Sequence, residues 1–244
     1  MAKSAILIDG GYLFEKMERL LERYPRAEEV YQFALKCFND QEKVFRIFFY
    51  HCLPFEESRK HPITGETIDF KNSPIARHNR RFMRELSEKN FVAVRKGQLD
   101  FKGWKLSDFA TKQLQDSSSS EQAAASQTSD TETSNPPLQI KQTSANVFEN
   151  LDKHFKPDFK QKEVDIKIGL DVAWLSSKRI VDKIILVTGD QDLVPAMKFA
   201  RREGVQVVLV RVDSGYIKGV LKEHADEVRQ MMFDRVKSEW SIIR

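Results

Sequence analysis

Residues 183–210 read KIILVTGDQDLVPAMKFARREGVQVVLV. Apolar, mostly β-branched runs from Lys183 to Thr188 and from Val205 to Val210 each predict a buried strand. The pattern between them, from Asp192 to Glu203, is helical and ends before Gly204, a residue that commonly terminates helices. A strand, a helix and a second strand in this order predict a right-handed parallel crossover. The stretch therefore predicts an open α/β sheet.

Aspartates stand at the ends of two predicted strands. The apolar run Ala5–Ile8 leads directly to Asp9, and the run that begins at Lys183 leads to Asp190, with Asp192 two residues later. Ligands of open parallel sheets bind outside the carboxyl ends of the strands, so we expect these acids to converge. Converging carboxylates repel one another unless a cation, most often a hydrated divalent metal ion, lies between them. Each aspartate alone is equally well explained as a helix cap or first-turn acid, and spacing leaves both interpretations open.

Asp165 is the third acid of interest. It lies on a predicted amphipathic helix, Lys162–Lys178, where spacing alone favours an ordinary first-turn acid. Gly169, one turn further, costs a helix interior about 1 kcal/mol relative to Ala, which would be explained by a close approach of another group. Asp171 lies about 240° around the helix from Asp165, so both cannot point into one site. We therefore predict a supporting or surface role for Asp171.

Composition restricts the class of protein. The chain of 244 residues, 41% hydrophobic and 31% charged, is long enough to bury a full core. Its two cysteines, Cys37 and Cys52, form no CxxC motif, so neither a disulfide framework nor a structural zinc site is indicated. No apolar run approaches the roughly 18 residues of a membrane span. We expect a protein of the reducing cytoplasm that neither enters a membrane nor is secreted.

One segment, at about 116–146, differs from the rest. It contains a run of four serines, a run of three alanines and the sequence NPP, with almost no large apolar residue. Such a segment cannot offset the entropy cost of ordering itself. It carries four acids and one base, so the remainder is more basic than the net charge of +4 indicates. Because the three aspartate segments lie on both sides of it, we predict a flexible insertion in a single domain, 1–244.

The other elements are predicted from the same periodicities. In chain order they are strand Ser4–Ile8, helices Leu13–Tyr24 and Ala27–Phe38, strand Val44–Cys52, a long loop Leu53–Ser73, helix Ile75–Lys89, strand Phe91–Arg95 and a helical tail Ile217–Trp240.

A basic cluster in the helix Ile75–Lys89 is the predicted nucleic-acid contact. Phosphate binding depends on charge and is largely independent of sequence, which suits a dense group of arginines. A solvated helix face is the competing interpretation. The residues are Arg77, His78, Arg80, Arg81 and Arg84. Trp104 and the aromatic run Phe48–Tyr50 could stack on bases, but core packing is favoured for most of them.

Three segments together resemble the signature of a known family. They are DGGY at 9–12, VDIKIGLD at 164–171 and TGDQDLVP at 188–195. In this order they are similar to the NYN domain family, in its LabA-like branch, which belongs to the PIN-like nuclease superfamily. Two positions depart from the pattern: Tyr12 stands where many relatives have Asn, and Glu163 where Gly is common.

The resemblance implies a fold, a chemistry and a set of residues. The implied fold is a PIN-like three-layer α/β/α sandwich with a mainly parallel sheet. The implied activity is a metal-dependent ribonuclease that uses Mg²⁺ or Mn²⁺. The catalytic and metal-binding residues map onto Asp9, Asp165, Asp190 and Asp192.

Three functions compete at this stage. A metal-dependent endoribonuclease with RNA as its partner is favoured. A catalytically silent RNA-binding or regulatory module on the same fold is the main alternative. A phosphohydrolase with Asp9 as nucleophile is third, because Gly11 stands where such sites usually have a second aspartate. The sequence leaves open the choice between RNA and DNA, the number of metal ions and the oligomeric state, a homodimer included.

Overall fold

The computed structural model describes residues 1–108, 110–112 and 151–243. The predicted insertion at about 116–146 lies outside the described residues. The chain divides into two compact units. The first comprises Met1–Phe55, Lys71–Leu99 and Gln161–Arg244, and the second comprises Glu56–Phe70 and Asp100–Lys160. The single-domain organisation expected from the sequence stays a prediction.

Ten strands and seven helices are described, and one 3₁₀ turn spans Gln191–Leu193. The strands are β1 (Ala2–Asp9), β2 (Glu42–Cys52), β3 (Ser58–Lys60), β4 (Thr67–Asp69), β5 (Val92–Leu106), β6 (Phe155–Lys162), β7 (Lys183–Val187), β8 (Gln206–Val212), β9 (Glu227–Asp234) and β10 (Glu239–Ile243). The helices are α1 (Gly10–Leu21), α2 (Ala27–Lys36), α3 (Pro74–Ser87), α4 (Leu151–His154), α5 (Val164–Ser177), α6 (Val194–Arg202) and α7 (Gly219–Glu223).

Eight of the strands form one sheet in the order β10-β9-β8-β7-β1-β2-β5-β6. The pairs β1–β2, β1–β7, β2–β5, β7–β8 and β8–β9 are parallel, and β9–β10 is antiparallel. The predicted crossover from residue 183 to residue 210 is confirmed, with α6 between β7 and β8. In β1 and β7, Ile8 is in register with Val187, so Asp9 and Thr188 leave the sheet side by side.

The central strands are apolar on both faces because helices cover both. In β1, Ile6 and Ile8 belong to one core with residues of α1, α2 and α3, whereas Ala5 and Leu7 belong to the other with residues of α5 and α6. Strands that are covered on both faces lose the alternation of apolar and polar residues and become continuous apolar runs. The predicted three-layer α/β/α sandwich with a mainly parallel sheet is confirmed.

The second unit has its own aromatic cluster around Trp104. The ring of His61 meets Trp104 edge-on at 5.0 Å between centroids, and Phe101 lies 5.8 Å from it. Phe70 and Phe159 make a further edge-on contact at 5.4 Å. Trp104 therefore has packing partners among the described residues, as the sequence favoured.

Two predictions about secondary structure are wrong. The tail Ile217–Trp240 contains one short helix, α7, and two strands, β9 and β10, where one helical pattern was expected. The loop Leu53–Ser73 contains the antiparallel pair β3–β4. The predicted strand Phe91–Arg95 is confirmed in place but is the start of a much longer strand, β5.

Among the described residues, no helix combines the length and the apolar character needed to cross a bilayer.

Candidate functional site

Asp9 ends β1 and caps α1. Its Oδ1 accepts hydrogen bonds from the backbone N–H groups of Gly11 (3.0 Å) and Tyr12 (3.2 Å). These bonds satisfy two donors of the first helical turn and hold the carboxylate at the carboxyl end of the sheet. In the part of the chain that the structure describes, Oδ2 has no hydrogen-bond partner. The capping role is confirmed, and it leaves one oxygen available to a ligand.

The two glycines after Asp9 allow neighbouring segments to come close. A Cβ on Gly10 would lie 2.6 Å from the carbonyl oxygen of Tyr50, so α1 begins directly against β2. A Cβ on Gly11 would lie 2.7 Å from Nε2 of Gln161 and 3.4 Å from Oδ1 of Asp9. The Gln161 amide therefore lies over the start of α1, beside the first acid. Sequence reasoning did not single out Gln161, and no pattern in the sequence indicates it.

Asp190 occupies the turn after β7. Its backbone N–H donates to Oγ1 of Thr188 (3.0 Å), and its Oδ1 accepts from the backbone N–H of Asp192 (3.0 Å). Asp190 thus caps the 3₁₀ turn at Gln191–Leu193. As at Asp9, only Oδ1 of this carboxylate accepts a hydrogen bond from the described residues. The predicted capping and the predicted ligand role therefore use different atoms of the same carboxylate.

The acids lie in one another's electrostatic field. Burial, followed by the charges of Asp165 and Asp190, raises the pKa of Asp9 to about 6, against the lowering effect of its two cap hydrogen bonds. Burial, followed by the charges of Asp190 and Asp192, also raises the pKa of Asp165. Asp165 lies in the first turn of α5, which begins after β6. Segments far apart in sequence therefore bring four carboxylates to one edge of the sheet.

The described residues supply no direct counter-charge to this cluster. Within the described ranges, no Lys or Arg forms an ion pair with Asp9, Asp165, Asp190 or Asp192. Nor do any three carboxylate, thiol or imidazole groups of these ranges stand close enough to hold one metal ion between them. The four aspartates as metal ligands remain a prediction.

Asp171 has the supporting position that its angle on the helix predicts. Its Oδ2 accepts a hydrogen bond from the buried hydroxyl of Tyr50 (2.7 Å) and another from Nε of Arg95 (3.0 Å). These contacts fix α5 to β2 and β5. The backbone of α5, and with it Asp165, is thereby held in place relative to the sheet.

The predicted basic cluster lies on α3, and three of its four arginines already donate hydrogen bonds within the protein. Nη1 of Arg77 donates to the carbonyl of Asn72 (2.6 Å), and Nη2 of Arg80 donates to that of Lys71 (2.8 Å). Nε of Arg81 donates to Glu85 (2.6 Å). Arg84 is exposed in the last turn of the same helix. The role of Arg77, Arg80, Arg81 and Arg84 in binding nucleic acid stays a prediction.

Tyr12 also borders the acids, and Lys16 lies beside its ring. In the described part of the chain, the buried hydroxyl of Tyr12 has no hydrogen-bond partner. Burial, then the charges of Glu15 and Asp9, raises the pKa of Tyr12. Nζ of Lys16 lies 5.4 Å from the centroid of the Tyr12 ring. Lys16 was not predicted, although its position two turns after Asp9 on α1 is a signal that could have found it.

The ring of His51 packs against α1. Burial lowers the pKa of His51 to about 4, so its ring is neutral near pH 7. The ring packs 4.7 Å from the ring of Phe14, centroid to centroid.

Comparisons with known proteins identify a family for most of the chain. A family profile described as "NYN domain" matches residues 67–232. The match includes Asp165, Asp190 and Asp192, whereas Asp9 precedes it. An uncharacterized protein of Methanocaldococcus jannaschii is 28% identical over 93 residues, which are 36% of this chain and 38% of that protein. The chain thus spans less than half the length of this relative.

One solved structure is similar along almost the whole chain. It is the crystal structure of a protein of unknown function from Vibrio parahaemolyticus, with a TM-score of 0.45 and 14% identity. The similarity covers 94% of this chain and 92% of that one.

Proposed function

Because the chain belongs to the NYN domain family, whose fold is nuclease-like, we propose that it is a metal-dependent endoribonuclease of the LabA-like branch. The observation that carries the proposal is the convergence of Asp9, Asp165 and Asp190 at one edge of the sheet, where burial first, and then the charges of Asp165 and Asp190, raise the pKa of Asp9 to about 6. A protein that gathers carboxylates without pairing them loses stability by doing so, and such sites are commonly functional. The two cysteines are free and buried, which agrees with the reducing cytoplasm as its location.

The donor atoms suit a hard divalent cation. Mg²⁺ and Mn²⁺ prefer oxygen ligands, and Mg²⁺ commonly keeps several waters while one or two carboxylates and a substrate phosphate complete its shell. Asp9 and Asp190 are the proposed direct ligands, because each is held by a cap hydrogen bond through Oδ1, and Oδ2 of each has no hydrogen-bond partner in the ranges that the structure describes. Asp165 and Asp192 would hold the ion through water, because no three carboxylates of the described residues stand close enough to bind one ion together. A bound ion supplies a more acidic water and neutralises charge on the scissile phosphate.

The protein's own groups have separate tasks. The caps at Asp9 and Asp190 hold both carboxylates in fixed orientations before any ligand arrives. Asp165, in the first turn of α5, would orient the attacking water. Lys16, which lies beside the Tyr12 ring, would contact a substrate phosphate. Arg77, Arg80, Arg81 and Arg84 would bind the RNA chain further away by charge.

The test is a cleavage assay with a matched control. Purified protein is incubated with end-labelled single-stranded RNA, structured RNA and DNA, in Mn²⁺, in Mg²⁺ and in EDTA. We expect cleavage of RNA with either metal, none in EDTA, and none by Asp190→Asn, which preserves the cap acceptor. The control is Asp40→Asn, because Asp40 is exposed in the turn before β2 and no side-chain hydrogen bond is described for it.

The principal alternative gives a different result. A catalytically silent module would bind RNA equally well in EDTA and in Mn²⁺ and would cut nothing. That outcome, together with no binding of Mn²⁺ in calorimetry, would replace the nuclease proposal with an RNA-binding role.

A further inference from the structure

Helix α5 is apolar on two opposite faces. One face packs into the core through Val164, Ile168, Val172 and Leu175. On the opposite face, Ile166, Leu170 and Trp174 follow one another at intervals of four residues, so they form one stripe along the helix. Their exposed fractions are 68%, 64% and 46%. A helix with two apolar faces is normally buried on both, whereas this stripe has no covering partner among the described residues.

No other helix of the described residues exposes three large apolar side chains on one face. The remaining exposed apolar residues, such as Ile75 and Val236, stand singly, which is usual for protein surfaces. Contiguous exposed apolar patches in soluble domains mark interaction sites more often than single residues do. The stripe on α5 is therefore the strongest candidate for a protein interface.

We propose that the stripe pairs α5 with α5 of a second copy of this chain, in an antiparallel dimer with a two-fold axis at Leu170. The spacing of the stripe is symmetrical about its middle residue. An antiparallel pair thus sets Leu170 against Leu170 and Ile166 against Trp174, so every large side chain has an apolar neighbour. Such an isologous contact is the commonest way in which identical chains associate. Ala173 and Ser177, small residues beside the stripe, permit a close approach of the two helices.

The charges at the two ends of α5 favour the antiparallel direction. Glu163 stands at the first end, and Lys178 and Arg179 follow the last turn. Antiparallel pairing places Glu163 near Lys178 of the second copy, and it also places each positive helix end beside a negative one. Parallel pairing would bring like charges together at both ends. Charge complementarity therefore favours a second copy of the chain, with its α5 antiparallel to the first.

The size of the stripe indicates a weak dimer. A helix of 14 residues is about 21 Å long, and one face of it offers less than the ~800 Å² that each partner contributes to a stable complex. We expect a reversible dimer in the micromolar range. None of the three stripe residues belongs to the aspartate cluster, so the dimer and the proposed nuclease activity can be tested separately.

Cysteine cross-linking tests the contact and its register. Both native cysteines are buried, with exposed fractions of 0% and 2%, so disulfide-linked dimers should form mainly through a cysteine introduced on the surface. Full-length Leu170→Cys should form a disulfide dimer under mild oxidation. Ile166→Cys mixed with Trp174→Cys should form a mixed dimer, and each alone should form far less. Ile75→Cys, on α3 and similarly exposed at 59%, is the matched control.

Sedimentation velocity over a range of concentrations gives the second readout. The wild-type chain and Ile75→Glu should shift from monomer to dimer as concentration rises, whereas Leu170→Glu should weaken the dimer by more than about tenfold, because two carboxylates would be buried together. The proposal is overturned if the wild type stays monomeric throughout. It also fails if Trp174→Cys cross-links to itself as readily as Leu170→Cys. A third contrary result is association that appears only after deletion of residues 117–144, since that segment would then be the occupant of the stripe.

Discussion

The ring of Tyr12 lies directly against Gly189, so that a Cβ built on Gly189 would come within 2.7 Å of Cε2 and 3.0 Å of Cδ2 of that ring. This contact joins the start of α1 to the turn after β7. Asp9 lies three residues before Tyr12, and Asp190 follows Gly189 directly. The glycine therefore allows the two turns that carry these acids to pack side by side.

Gly189→Ala should disturb this contact. The added methyl must displace the Tyr12 ring, and overpacking of this kind typically costs about 1–3 kcal/mol. Urea unfolding in EDTA measures the loss. In a Tyr12→Ala background the same substitution should cost much less, because the space is then open. Equal costs in both backgrounds would show that the turn, and not the ring, requires glycine.

Asp9→Asn should stabilise the metal-free protein above about pH 6. The folded pKa of Asp9, about 6, lies above the ordinary value of 3.8, so the folded state binds the proton more tightly than the unfolded state. The charged form is thus penalised in the folded state. The penalty is fully present above the folded pKa, shrinks as pH falls through it, and vanishes below the unfolded pKa. Asparagine removes it and still accepts the cap hydrogen bonds.

The expected gain is at most about 3 kcal/mol near pH 8, falling towards zero below about pH 4. Thermal unfolding in EDTA across this interval measures it. Asp40→Asn, the exposed control, should give no pH-dependent gain. If Asp9→Asn is destabilising at every pH, the carboxylate is not strained in the way its surroundings indicate.

The aspartates at strand ends could be predicted because the signal is local. The centre of a strand covered on both faces is apolar, so the polar residues that end this run mark the edge of the sheet, as Asp9 does at the end of β1 and Thr188 and Asp190 do after β7. The secondary structure of the tail could not be predicted from local signals.

The tail has helical apolar spacing at Leu221, Val228 and Met231. Val228 and Met231 nevertheless lie in β9, because pairing with β8 decides the backbone there. Local spacing does not contain that partner.

Side-chain contacts between residues far apart in the chain could not be predicted from the sequence either. The angle around α5 correctly separated Asp171 from Asp165, but nothing in the sequence pairs Asp171 with Tyr50, 121 residues away. Nor does anything in the sequence place the Gln161 side chain beside Asp9. Gly169 gave a misleading signal: a Cβ there would meet nothing within 4 Å, so no protein group approaches it among the described residues.

Tyr50→Phe should loosen α5. The Tyr50 hydroxyl donates to the Asp171 carboxylate from a fully buried ring, and hydrogen bonds to charged groups contribute about 1.5–3 kcal/mol. We expect a loss in that range by urea unfolding. A double-mutant cycle with Asp171→Asn should give a coupling energy of at least about 1 kcal/mol, since the two groups share one bond. Additive losses would mean that each residue acts through other partners.

Glu42→Ala should be the most destabilising of these changes. Glu42, at the start of β2, receives two hydrogen bonds from Arg229, at 2.6 Å and 2.8 Å, and both side chains are buried. Removing one partner of a buried pair costs about 3–5 kcal/mol. We expect the lower end of this range, because Arg229 keeps its ion pair with Glu227 and its hydrogen bond to the Cys37 carbonyl. Glu15→Ala, which breaks the exposed Glu15–Arg19 pair, should cost no more than about 0.5 kcal/mol.

The pH dependence of this pair has the opposite sign to that of Asp9. Burial would raise the pKa of Glu42, but the hydrogen bonds from Arg229 and from the Asn39 backbone prevail and lower it. The contribution of the pair is therefore present above the ordinary glutamate pKa of about 4.3 and is lost as pH falls through the folded value. The difference in stability between wild type and Glu42→Ala should narrow in acid. A constant difference would assign the loss to packing instead.

Gly169→Ala separates stability from substrate access. Gly169 lies one turn after Asp165 on the same side of α5, and the space for a Cβ is open. Alanine should stabilise the helix by about 1 kcal/mol, because it has less backbone entropy to lose. If RNA lies against this surface, the KM for RNA should rise while the free energy of unfolding also rises, a combination that simple damage to the fold cannot produce. An unchanged KM would place the RNA path elsewhere, and a loss of stability would mean that the glycine serves the helix itself.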